Sequence, residues 1–367
     1  MLTLNRLLVF REFLFNDDML EKEVHNHHAH KERADMQYRR LGRSGLMVSE
    51  LTLGTMNLGG PTDDATSFQM IDRALDCGIN LLDCANVYSE GKSEQVIGKA
   101  LKRNGKRHDV LITSKAYLPT SDRPNTSGNS RHNLINSCLK SLKQLQTDYI
   151  DIFFLHRTDW NVPQEETLSA LDYLVNTGYV RYVACSTHPA WRTVEALNIA
   201  DQKGFPKFVC EQPPYNLLDR RIENEIIPMC LDYDLGIITW SPLAQGLLAG
   251  RYERADVLPE NSRATQKDIY AERITDAAIK AASNIIDRAN QISFSPTALS
   301  VAWILHQPAI SSVIIGPRTP GHLDDLISAL DISLSRDDLD WFDALIPPGS
   351  YVSDHLNTAG WQRPAEK

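Results

Sequence analysis

Four polar side chains follow short apolar runs in the first half of this 367-residue chain, and together they could reduce a carbonyl group. Asp83 ends the run Leu-Leu-Asp, Lys115 ends Ile-Thr-Ser-Lys, and His156 ends Phe-Phe-Leu-His. Tyr88 lies five residues beyond Asp83. Hydride arriving at a carbonyl carbon leaves negative charge on the oxygen, which a proton donor must meet. A phenol, with an unperturbed pKa of about 10, keeps its proton at neutral pH but is a sluggish acid. A neighbouring ammonium favours the phenolate and lowers that value. Tyr88 is therefore read as the acid and Lys115 as the cation beside it. Asp83 would keep Lys115 charged and aimed, and His156 would bond the carbonyl oxygen and orient the substrate. Taken singly, each has a plain structural explanation: a capping carboxylate, a solvated lysine, a loop aromatic, a core histidine. Their combination carries the reading.

The elements that must position these groups alternate for nearly 300 residues. Short apolar segments at 51–54, 80–84, 110–114, 150–155, 180–185, 208–211, 236–240 and 312–315 have the character of strands buried on both faces. Between them, 67–77, 93–103, 131–145, 165–177, 191–202 and 223–233 repeat apolar residues at three and four, as amphipathic helices do. Ser93, Glu94 and Gln95 supply helix-start chemistry, and Gly78, Gly178 and Gly204 fall where helices end. Eight such units predict an α/β fold, a closed (β/α)8 barrel, preceded by a hairpin at its bottom. An open doubly wound sheet is the competitor, but no G-x-G-x-x-G occurs. In a barrel the carboxyl ends of strands form the active face, which gathers Asp83, Lys115, His156, Gln212 and Trp240-Ser241 at one mouth.

Composition excludes several alternatives. A formal charge of −9 opposes nonspecific nucleic-acid binding. No apolar run is long enough to span a bilayer. Six scattered cysteines without a C-x-x-C pair predict reduced thiols in a cytoplasmic protein. No metal ligand set is assigned. Residues 1–35, apolar and then histidine-rich, read as a mobile extension or an upstream start ahead of a domain over 36–345; residues 346–367 form a tail.

The blocks GINLLDCANVYSEGKSEQVIGKAL (78–101), VLITSKA (110–116), TDYIDIFFLHRTD (147–159), EQPPYNLLDR (211–220), ITWSPLAQGLLAGRY (238–252) and SSVIIGPRTPGHLDDLISAL (311–330) resemble the aldo-keto reductase superfamily. The likeness is to the branch that includes potassium-channel beta subunits and bacterial aldo/keto reductases. It implies a tetrad of Asp83, Tyr88, Lys115 and His156 and an NADP(H) cofactor. Ser186 and Gln212 would hold the nicotinamide amide, with Trp240 stacked under the ring. Thr55, Met56 and Thr187 would lie against the cofactor, and Ser241, Pro242, Leu243, Gln245, Gly246 and Arg251 would wrap the pyrophosphate. Gly316, Arg318 and His322 would grip the 2′-phosphate, and Asp325 would face the adenine. Ser186-Thr187 stands where the family often has Ser-Asn, and Gly316-Pro317 where Gly-Ala is common.

Substrate choice falls to the loops 116–130 and 251–275 and to the tail, with Tyr351, His355 and Trp361. The implied activity is NADPH-dependent reduction of a small-molecule aldehyde or ketone. The alternative is an NADP(H)-binding redox-sensing subunit with little turnover. A third reading, a lyase forming a Schiff base on Lys115, has the nucleotide-binding features against it.

Overall fold

The alternation resolves into a closed barrel of eight parallel strands, seen in a computed structural model that describes residues 36–260, 262–266 and 268–361. The extension over 1–35, with its histidine tract, and the last six residues of the tail lie outside the described residues. A hairpin of β1 (Tyr38–Arg40) and β2 (Met47–Ser49) comes first. The barrel strands are β3 (Leu51–Gly54), β4 (Leu81–Asp83), β5 (Leu111–Ala116), β6 (Ile150–Leu155), β7 (Val180–Cys185), β8 (Cys210–Glu211), β9 (Gly236–Thr239) and β10 (Ser312–Ile315). They pair in chain order, and β10 closes the ring on β3 through Val313 opposite Leu51.

Helices connect them: α1 (Asp64–Asp76), α2 (Lys92–Asn104), α3 (Arg131–Leu145), α4 (Gln164–Asn176), α5 (Ala190–Lys203) and α6 (Ile226–Asp232). After β9 come α7 (Asp268–Ala271), α8 (Asp276–Gln291) and α9 (Pro296–Leu305), and after β10 come α10 (Pro320–Ile327) and α11 (Arg336–Leu345). Most barrel-strand residues are buried on both faces, and the side chains sort by period two. On β5, Ile112, Ser114 and Ala116 alternate with Thr113 and Lys115; Ser114 bonds Glu94 of α2 at 2.7 Å, whereas Thr113 and Lys115 both reach Asp83 of β4. Two apolar clusters result, a large one among the strands and helices and a smaller one of residues such as Leu81, Ile152, Phe154 and Ile238.

Leu41 and Val48 of the hairpin belong to that second cluster and plug the amino-terminal end of the barrel. The plug fits because Gly42 and Gly236 carry no side chains. A Cβ on Gly42, whose φ is +51°, would fall 2.4 Å from the Gly236 amide nitrogen. With that end sealed, the chemistry is confined to the other. Gly204 caps α5 in the left-handed region as read from sequence, while Gly78 and Gly178 take positive φ one residue past the caps of α1 and α4. Ser93 departs from expectation. The second helix starts from left-handed Gly91, and the Ser93 hydroxyl turns inward to donate to Thr55 O at 2.8 Å. Among the described residues, no helix is long and apolar enough to cross a membrane.

Candidate active site

Asp83, Tyr88, Lys115 and His156 lie together at the carboxyl end of β4, β5 and β6. Lys115 is fully buried, and its ammonium donates to both carboxylate oxygens of Asp83 and to Cys84 O, each at 2.7 Å. Its Nζ also lies 3.4 Å from the Tyr88 hydroxyl. Asp83 Oδ1 further accepts from Thr113 Oγ1 at 2.9 Å and from Gln212 Nε2 at 2.8 Å, so β5 and the end of β8 both anchor it. Tyr88 begins a 3-10 turn in which Ser89 and Glu90 take φ of 47° and 58°. These are unusual values for residues other than glycine.

Burial decides the protonation states. The ammonium does pull the Tyr88 pKa down, as its placement beside Lys115 implies, but desolvation acts more strongly and leaves the phenol above its ordinary value. Desolvation opposes the charge on Lys115, yet Asp83 and Tyr88 outweigh it and the lysine is raised. His156 is buried, and desolvation with the charges of Arg157 and Lys115 holds it well below the usual histidine range, hence neutral. Its Nδ1 is buried without a partner among the described residues, and its ring meets Tyr88 edge-on at 6.0 Å. A proton-bearing phenol and an uncharged imidazole thus stand side by side.

The residues read as cofactor-binding form a second group around the same mouth. Ser186 Oγ donates to Gln212 O at 2.8 Å, and Thr187, in the left-handed region, receives the Trp240 indole N–H on its hydroxyl at 3.3 Å. Trp361 of the tail donates to Thr187 O at 3.0 Å, which ties the tail to this rim. Tyr351 instead lies under Arg221, and His355 is buried. Thr55 is held by β4, its hydroxyl donating to Asp83 O at 2.8 Å, and Met56 beside it is exposed. After β9, the segment containing Pro242 and Leu243 has positive φ at Ser241, Ala244, Gln245 and Gly246. Repeated left-handed residues make a concave backbone suited to an anion, and the buried Gln245 Oε1 has no partner among the described residues.

Arg318, after β10, is held below the ordinary arginine range by burial and then by the charges of Arg251 and Arg263. Arg251 and Arg263 thus lie in electrostatic range of Arg318, and the nearby Gly316 carbonyl accepts from Asn57 at 3.3 Å. His322 sits exposed at the start of α10, and the Asp325 carboxylate accepts from Thr297. Sequence reasoning missed Arg263, which reaches Met56 Sδ at 3.1 Å, because nothing in an irregular loop marks it. It also missed Arg157, though its position directly after His156 was a usable signal. Cys185, His188 and Glu211 place a thiol, an imidazole and a carboxylate within 4.8 Å of one another. Glu211 already accepts from the thiol and the His188 amide, and we assign the trio no metal.

Comparison with known proteins identifies the family. The model of the aldo/keto reductase family matches residues 50–347. The chain is 38% identical over 325 residues to the uncharacterized oxidoreductase YrpG of Bacillus subtilis, covering 86% of this chain and 97% of that one. It is 33% identical to a probable voltage-gated potassium channel subunit beta of Oryza sativa, over 81% of this chain and 92% of the relative. To versiconal hemiacetal acetate reductase of Aspergillus parasiticus it is 32% identical, over 84% and 96%. The barrel, the strand-end site and these likenesses place the chain in the aldo/keto reductase family.

Proposed function

We propose that this protein reduces aldehyde or ketone carbonyls to alcohols with NADPH, Tyr88 acting as the general acid. The observation that carries the reading is the Tyr88 hydroxyl 3.4 Å from an ammonium that Asp83 grips through both oxygens. Family membership and the oxidoreductase names of two relatives support carbonyl chemistry at this mouth. When bound, NADPH supplies a hydride to the carbonyl carbon. Trp240, Ser186, Thr187 and Gln212 would hold the nicotinamide end, the Ser241–Gly246 turn the pyrophosphate, and Arg318 with Arg251 and Arg263 the 2′-phosphate. The concave turn and these guanidiniums fit an anionic dinucleotide, and the third phosphate favours NADPH over NADH.

The protein's own groups then act in order. Burial keeps Tyr88 protonated, and neutral His156 offers a ring nitrogen to the substrate oxygen. As charge grows on that oxygen, the Tyr88 proton moves to it, and Lys115 stabilises the phenolate left behind. Solvent restores the proton. A Schiff base on Lys115 is disfavoured, because its three hydrogens face Asp83 and Cys84 and no lone pair is free for attack.

Mixing the protein with NADPH or NADH and a panel of aldehydes, while following loss of reduced nicotinamide, tests this. Consumption of NADPH with an aldehyde is the expected result. Tight NADPH retention without turnover across the panel would favour a redox-sensing subunit, a reading to which the name of the Oryza sativa relative lends support. Absence of nicotinamide binding would remove both.

A further inference from the structure

The reductase reading leaves two arginines unused. Arg157 follows His156 directly. Its Nη1 donates to His156 O at 2.7 Å and to Thr187 Oγ1 at 3.3 Å, and the guanidinium lies 5.7 Å from the Trp240 ring centre. Its Nε and Nη2 make no hydrogen bond among the described residues. That edge of a guanidinium carries two parallel N–H donors, the geometry that grips a carboxylate at both oxygens. Arg273 is only 6% exposed, yet its buried Nε has no partner among the described residues and its guanidinium meets the Tyr270 ring at 5.5 Å instead.

No carboxylate among the described residues stands at ion-pair distance from either cation. Those in electrostatic range are engaged elsewhere. Glu211 holds the Cys185 thiol and the His188 amide, while Asp219 and Asp354 both hold Arg221. Burial lowers the pKa of both arginines; Tyr270 and Tyr88 lie in range of Arg157, and Arg157 in range of Arg273. Inside a protein, cations with open donors are normally paired. Buried Arg273 has no such pair among the described residues, and half-buried Arg157 leaves one edge open directly beside His156.

We propose that the substrate carries its own carboxylate, held by the Nε–Nη2 edge of Arg157 and by Arg273 while its carbonyl end meets Tyr88 and His156. The substrate class is then an oxo- or aldehydo-carboxylic acid. The inference deepens the reductase reading and rests on it.

Two aldehydes of the same shape separate charge from fit: 4-carboxybenzaldehyde and 4-nitrobenzaldehyde. With NADPH, wild-type protein is expected to show a KM about ten- to a hundredfold lower for the carboxylate. Arg157→Met and, separately, Arg273→Met should each shrink that preference, Arg157→Met by most of it. Arg157→Lys keeps the charge without the fork and should fall between. Calorimetry with the two corresponding alcohols, 4-(hydroxymethyl)benzoate and 4-nitrobenzyl alcohol, reads the same preference without turnover. If neither aldehyde is reduced but the carboxylate alcohol binds more tightly in an Arg157-dependent way, the reductase reading fails and the anion site stands. Equal KM values and equal affinities for the charged and neutral partners in wild type, or a preference that survives both methionine variants, would overturn the proposal.

Discussion

The two ends of the barrel treat buried and half-buried arginines in opposite ways. At the amino end, Arg39 donates to Ile310 O, Leu305 O and Glu50, and Arg107 donates to Thr147, Val110 O, Tyr149 O and Asp151. At the carboxyl end, Arg157 uses one nitrogen and Arg273 has a buried nitrogen with no acceptor. His156 Nδ1 and Gln245 Oε1 at this mouth are likewise buried and, among the described residues, unpartnered. Saturated polar groups mark an end built for stability. Unsatisfied ones are costly to bury, and those beside the reactive tetrad suit an end built to receive a molecule.

The contrast can be broken by substitution. Arg107→Met should have the largest effect on stability, about 3–5 kcal/mol, because Asp151 would be left buried and unpaired. Chemical denaturation measures this, and a loss below about 1 kcal/mol would mean the amino-end pair is ornamental.

Next in size is a pH effect beside the mouth. Burial pushes the Glu211 carboxyl from 4.5 up to about 7. Where the folded protein holds a proton that the unfolded chain has released, stability falls as pH rises. The contribution is whole below about 4.5 and is lost as pH rises through about 7. Over that window wild type should lose up to about 3 kcal/mol from this group, and Glu211→Gln should flatten the slope. An unchanged slope in the variant would assign the loss to other groups.

A smaller change is expected from Arg318→Ala, which should weaken NADPH binding about ten- to a hundredfold and NADH binding by less than about threefold. Equal losses in fluorescence titrations with the two nucleotides would remove the 2′-phosphate role. The smallest and most diagnostic change is Arg273→Met. Because a buried guanidinium with an unmet donor destabilises the fold, the variant should gain about 1–2 kcal/mol. A loss of similar size would make Arg273 a structural residue like Arg107.

Much of this was legible in the sequence because a barrel strand is short, apolar and covered on both sides. A charged residue ending such a run, as Asp83, Lys115 and His156 do, has few places to be except the mouth. Period-two alternation then sends Lys115 inward towards Asp83. What sequence could not supply was the balance of opposed effects. That Lys115 lowers the Tyr88 pKa follows from proximity; that burial raises it further depends on how much water the fold removes. Ser93 misled because helix-start chemistry is local, whereas its bond to Thr55 spans two barrel units. Arg263 and Arg273 lie in an irregular segment without periodicity, where only tertiary structure decides what an arginine faces.

The account turns on whether the phenol beside Lys115 supplies the proton. Tyr88→Phe removes one oxygen and leaves the Asp83–Lys115 bonds and the surrounding packing in place. With saturating NADPH and an aldehyde, the variant should lose about 10²–10⁴ in turnover while its NADPH affinity stays within about twofold of wild type. Turnover retained in Tyr88→Phe would show that another group is the acid and would contradict the assignment.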